Sequence, residues 1–132
     1  MRLLTRIEID EPASTPRDAD RELSVAALLE LELTSGRRVT LLDGRGWCCS
    51  GPSDIWAYTS MEDLAGTART VVGPDEPHDS LSHEDADQGY WAEMAARAQT
   101  QGVHIEAGDL AALPHDVDIS QEIQARVARA AR

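Results

Sequence analysis

The chain of 132 residues has no phenylalanine, no lysine and only two cysteines, which are neighbours at Cys48 and Cys49. With no Phe, and with Trp and Tyr supplying five rings in all, Leu, Val, Ile and Ala must fill most of any interior. Trp47, Trp56, Trp91, Tyr58 and Tyr90 therefore carry unusual weight. Adjacent cysteines are strained as a bridge and make no disulfide framework, which points to a reducing cytoplasm. No apolar run reaches membrane-spanning length, and Met1-Arg2-Leu3-Leu4 meets Arg6 and Glu8 too soon for the apolar core of a signal peptide. Basic charge is scarce: 12 Arg stand against 24 Asp and Glu, for a net charge of −12. The exclusive use of arginine carries no functional reading.

The acid is concentrated. Eleven acidic residues lie between Pro74 and Asp118, where Arg97 is the lone basic side chain, so this stretch holds about −10 of the −12. A single-sign field of this kind repels nucleic acid and anionic membranes and steers basic partners inward. Its purest part is Asp75, Glu76, Asp79, Glu84, Asp85 and Asp87, which no Arg interrupts. Some of that acid has a plainer cause, because carboxylates stabilise a helix N-terminus.

The length fits one domain, residues 1–132, large enough to bury a core without metal or disulfide staples. Leu3, Thr5, Ile7 and Ile9 alternate with Leu4, Arg6, Glu8 and Asp10 as in a half-buried strand, and Glu11 to Asp20, with two prolines, breaks it. Leu29, Leu31 and Leu33 alternate with glutamates, then Val39 and Leu41 resume after Thr34-Ser35-Gly36-Arg37, so a hairpin is expected. A three-residue loop centred on Gly36 sets Leu33 opposite Val39 and Leu31 opposite Leu41. The preceding Arg21 to Ala27 reads as strand or as a helical turn. Asp43-Gly44 is the strongest short hairpin signal, and a type I′ turn there pairs Leu41 with Gly46 and Val39 with Cys48, turning Cys48 to the core and Trp47 and Cys49 away. A one-residue slip would exchange them. Asp54 to Tyr58 alternates again and reads as a strand. Ser60 with Asp63, and Ser82 with Asp85, look like helix N-caps. The first opens a stripe of Met61, Leu64, Ala65, Ala68, Val71 and Val72 that stops at Gly73-Pro74, the second a face of Trp91, Met94, Ala95 and Ala98. Val103-His104-Ile105 reads as a brief strand or extended return, Pro114 to Asp118 as an acidic connector, and Ser120 as the start of a last helix bearing Ile123, Val127, Ala130 and Ala131. The expected class is α+β: a small antiparallel sheet of three to five strands from the N-terminal half, packed against about three helices from the C-terminal half.

No residue constellation names a reaction. His104-Ile105-Glu106 has the His-x-Glu form of zinc nucleobase deaminases, but the Pro-Cys-x-x-Cys those enzymes need downstream is missing. His83 and Asp87 stand one helical turn apart near His78, Asp79 and Glu84, yet the spacing matches no structural metal site, so no metal and no cofactor is assigned. Cys48 or Cys49 would need a histidine close by to act as a nucleophile, and the sequence supplies no such pairing. Gly44-Arg45-Gly46 lacks the spacing and the Lys-Ser/Thr ending of a phosphate loop and is read as a hairpin turn. Trp47 and Trp56 are either core anchors or the exposed hot spots of an interface.

Two functional classes remain. The first is a non-catalytic binding protein whose acidic face, Asp75, Glu76, Asp79, Glu84, Asp85 and Asp87 with Trp47 and Trp56, docks a basic protein partner. Its size, acidity and expected cytoplasmic location resemble the format of bacterial immunity or inhibitor proteins, a likeness of format that rests on no motif. The second is a small enzyme or ligand-binding module with a cleft between sheet and helices near Trp47, Cys49 or His104. The observed charge asymmetry favours the first.

Overall fold

The structure, a computed structural model, describes residues 1–10, 22–50, 55–74 and 82–130. Strand β1 (Arg2–Ile9) forms on the expected alternation, burying Leu3, Thr5 and Ile7. The ambiguous stretch is extended throughout residues 22–27, as part of β2 (Glu22–Glu32). A hairpin joins β2 to β3 (Arg38–Ser50), and its three-residue loop, Thr34-Ser35-Gly36, is centred on Ser35 rather than Gly36. Leu33 N–H donates to the Arg37 carbonyl at 2.8 Å, so Leu31 faces Val39. The reason lies at Gly36, whose φ of +90° suits the last loop position, where a left-handed residue returns the chain to the ladder. A displacement of two residues keeps every side chain on its own face.

No hairpin forms at Asp43-Gly44. β3 runs straight through it, pairing Ala27 with Arg45 but Leu29 with Leu42, so the extra residues are absorbed as bulges. Gly44, at φ +90°, supplies the left-handed residue that a type I′ turn and a glycine bulge both require, which is why the dipeptide misleads. The bulges let consecutive Leu41 and Leu42 both be buried. With no turn at Asp43-Gly44, and with two bulges whose effects on side-chain face cancel, Trp47 and Cys49 share the face of Val39 and oppose Val25 and Leu23 on the core side, while Cys48 points the other way. Both cysteines are exposed.

Residues Ile55–Tyr58 form a 3₁₀ turn, not a strand, with Trp56 buried and Tyr58 81% exposed. Helix α1 (Met61–Val71) and helix α2 (His83–Thr100) start at the expected caps, Ser60 and Ser82, whose hydroxyls accept from Asp63 N–H at 3.0 Å and Asp85 N–H at 3.1 Å. Val103 to Glu106 has no regular structure and leads into a short helix α3 (Ala107–Ala111). The supposed acidic connector is strand β4 (His115–Ile119), and helix α4 (Gln121–Ala130) follows Ser120, whose hydroxyl accepts from Ile123 N–H at 3.3 Å.

The sheet order is β3-β2-β1-β4. The first two pairings are antiparallel, while β4 lies parallel to β1, so the sheet is mixed. A strand that returns beside β1 after a run of helices enters in the same direction, as crossover connections do. The architecture is thus α+β, four strands mostly from the N-terminal half and four helices mostly from the C-terminal half. One sheet face supplies Leu3, Ile7, Val25, Leu29, Leu31 and Val39 to a core shared with Leu64 and Ala68 of α1, Met94 and Ala98 of α2, Leu110 of α3 and Ile123 of α4. The other face carries a charge ladder: Arg38 to Glu32 at 2.8 Å, Arg2 to Glu32 at 3.0 Å, Arg2 to Asp116 at 2.9 Å, and Arg6 to Glu30 at 2.7 Å. Hydrogen bonds from Arg2 and Arg38 hold the Glu32 carboxyl below the usual carboxylate range. Among the described residues no helix is long and apolar enough to cross a membrane.

Candidate functional site

Of the six acidic residues expected to form the docking face, Glu84, Asp85 and Asp87 lie within the described structure, at the start of α2. Ser82 caps the helix, and Glu84 and Asp85 occupy its first turn, where the free N–H groups favour negative charge. Glu84, Asp87, Gln88 and Trp91 recur at spacings of three and four, which sets them on one side of α2. That side meets the small residues Ala107, Gly108 and Ala111 of α3, and together they line a groove of about 420 Å³. Trp91 is half-buried in the groove and packed edge-on against Tyr90, with ring centroids 4.9 Å apart at 87°. Tyr90 is anchored in turn, its hydroxyl donating to the Val72 carbonyl at the end of α1. The indole is therefore held rigidly, its exposed part bordered by two carboxylates. Glu84, Asp85 and Asp87 are exposed and form no ion pair among the described residues.

Such a groove suits a cationic side chain carried on an apolar stem. The stem lies against the alanines and the indole, and the guanidinium or ammonium group meets the ring face and the carboxylates. Sequence reasoning treated Trp91 only as part of a core face. The available signal was its position one helical turn after Asp87.

The other expected site residues are placed differently. Asp75, Glu76 and Asp79 lie outside the described residues. Trp56 takes the core alternative: it is 4% exposed, with the Arg126 guanidinium 5.5 Å from its ring centroid. Trp47 is half-buried and lines a separate depression of about 460 Å³ together with Asp10, Asp43, Arg45 and Cys48. Arg45 reaches from there to the Val71 and Gly73 carbonyls at 3.1 and 3.2 Å, tying β3 to the C-terminal end of α1. His104 lines a third depression, with Gln99, Glu106 and Asp109. The fold thus does not bring His104 to either cysteine, and the glycines of Gly44-Arg45-Gly46 serve the bulge and a close strand contact. Among the described residues no three His, Cys, Asp or Glu side chains converge as a metal site.

His115, expected in a turn, sits in β4 with its Nε2 2.6 Å from the hydroxyl of the buried Thr5. Burial, then the nearby Arg69 charge, pushes its pKa down, against a smaller upward pull from Asp116. Arg69 also donates to the His115 carbonyl at 3.1 Å, so the histidine joins α1, β1 and β4.

No family model matches the chain, and neither the curated proteins nor the solved structures provide a match.

Proposed function

We propose that this chain is a non-catalytic binding protein whose acidic face, at the start of α2, docks a basic protein partner. The observation that supports the reading is the groove between α2 and α3, which Trp91 lines together with Glu84 and Asp87. Charge alone accelerates encounter without fixing a pose. An aromatic floor beside exposed carboxylates adds the desolvated anchor that interfaces concentrate their energy in. The reading gives Trp91 the anchoring role, with the charge of Asp85 and of Asp75, Glu76 and Asp79, which precede α2 in the sequence, steering approach.

The test uses a defined probe, a short arginine-rich peptide, titrated against the isotope-labelled protein and against three variants: Glu84→Gln with Asp87→Asn, Trp91→Ala, and Asp116→Asn on the opposite sheet face. Binding expected from the proposal shifts the Trp91 indole N–H resonance, weakens with salt, falls in the first two variants and is unchanged in the third. Equal loss in all three would reduce the acid to a diffuse counter-charge. Undiminished binding by Trp91→Ala would remove the groove from the account.

A further inference from the structure

Strand β3 lies at the edge of the sheet, and the two halves of that edge are finished differently. In the first half, side chains from α2 and the residue that follows it close the backbone: Arg97 donates to the Leu41 carbonyl at 2.8 Å and Gln101 to the Thr40 carbonyl at 2.6 Å. The second half, Gly46 to Cys49, has no such cover from any described residue. The direction of its backbone groups follows from the ladder. Asp10 N–H donates to the Ser24 carbonyl, so Ser24 points toward β1. Its neighbours Leu23 and Val25 then point toward β3, and their partners Cys49 and Trp47 point back. The N–H and C=O of Gly46 and Cys48 are left directed outward from the sheet.

Two properties of this segment bear on its occupant. Residues 46–53 carry no charge in a chain of net −12, so the pairing segment itself sets no like charge against a second copy. Cys48 and Cys49 are both exposed, and as neighbours in a strand they project to opposite faces, which keeps them from bridging each other. An antiparallel pairing of two such edges about a two-fold axis through Cys48 sets it opposite the Cys48 of the second copy, about 5.5 Å apart at the Cα atoms, within the range a disulfide spans.

We propose that the open half of β3 pairs with the same segment of a second copy, and that Cys48 locks the pair by an intermolecular disulfide under peroxide. Each thiol loses a proton and an electron as the S–S bond forms, and hydrogen peroxide takes up both electrons and both protons to give two waters. The same β3 edge thus carries a sealed half and a half left available for strand addition. This inference concerns a surface apart from the α2 groove and stands independently of the docking reading.

The test exposes the reduced full chain to hydrogen peroxide and follows mass on non-reducing gels and by light scattering, with Cys48→Ser and Cys49→Ser beside the wild type. The expected result is a doubling of the 14.4 kDa mass, reversed by dithiothreitol, lost in Cys48→Ser and retained in Cys49→Ser. Circular dichroism of Cys48→Ser checks that its fold is intact. Equal cross-linking of the two variants would mark random collision of exposed thiols and overturn the proposal, as would dimer formation through Cys49 or no dimer at all. In the wild-type dimer, amide exchange at Gly46 and Cys48 should slow relative to the reduced monomer. Unchanged exchange at both would overturn the strand pairing even if the disulfide formed.

Discussion

Replacing Gly46 with alanine tests the β2–β3 register at its tightest point. An added Cβ would overlap the Val25 carbonyl oxygen and stand 3.3 Å from both the Val25 carbonyl carbon and the Ala26 Cα. These are backbone atoms of a central strand, flanked by β1 on the other side, so no side chain can swing away to make room. Relief requires about 1 Å of strand separation, judged from ordinary contact distances. That opening weakens the two backbone hydrogen bonds between Val25 and Trp47, each contributing about 0.5–1.5 kcal/mol net. Strain in a packed layer adds about 1–3 kcal/mol, so a loss of about 3 kcal/mol is expected. Gly44→Ala provides the contrast: its Cβ would meet nothing within 4 Å, and its cost, from the left-handed backbone alone, is about 1–2 kcal/mol. Urea unfolding followed by tryptophan fluorescence measures both. If Gly46→Ala were no worse than Gly44→Ala, the pairing of Gly46 with Ala26 would be refuted.

Trp56→Ala should cost about 3–5 kcal/mol by emptying a core site, while Tyr58→Ala, two residues on and exposed, should stay within about 0.5 kcal/mol; thermal melts separate them. Ser60→Ala removes the cap on α1 and should lower stability by about 1 kcal/mol in chemical denaturation. The lowered pKa of His115 fixes the sign of one pH effect: the unfolded chain takes up this proton below about 6.5 and the folded chain resists it, so stability falls as pH drops from there toward the lowered folded value. His115→Gln should remove that part of the slope in urea midpoints measured between about pH 7.5 and about pH 5, and an unaltered slope would assign it elsewhere.

Where local rules act alone, they are readable. The caps at Ser60 and Ser82 depend on one hydroxyl and one amide three residues on, and both form. The faces of β1 and β2 follow from alternation that burial enforces. Asp43-Gly44 fails because a left-handed glycine serves two geometries, and the choice between turn and bulge is made by β2, which continues as a partner. Strand β4 does alternate, with His115, Val117 and Ile119 on one face and Asp116 and Asp118 on the other, but five residues rich in acid resemble a loop until β1 offers an edge. The acidic start of α2 is legible as charge, whereas the groove depends on α3, a five-residue helix with too little sequence to announce itself.

The parallel seat of β4 also bears on how the molecule is assembled in time. Thr5 and His115 touch across 110 residues of sequence, whereas β1, β2 and β3 meet through near neighbours. A chain emerging from the ribosome can therefore form the three-stranded meander early, yet the outer edge of β1 waits until β4, 110 residues further on, has been made. Through that interval Leu3, Thr5 and Ile7 lie in a strand with an unpaired margin, a template for misplaced strands. Closing so distant a contact costs loop entropy before it returns any packing, so docking of β4 is expected to be the late, rate-setting event of folding, and a substitution at Val117 should slow refolding more than one in the hairpin loop.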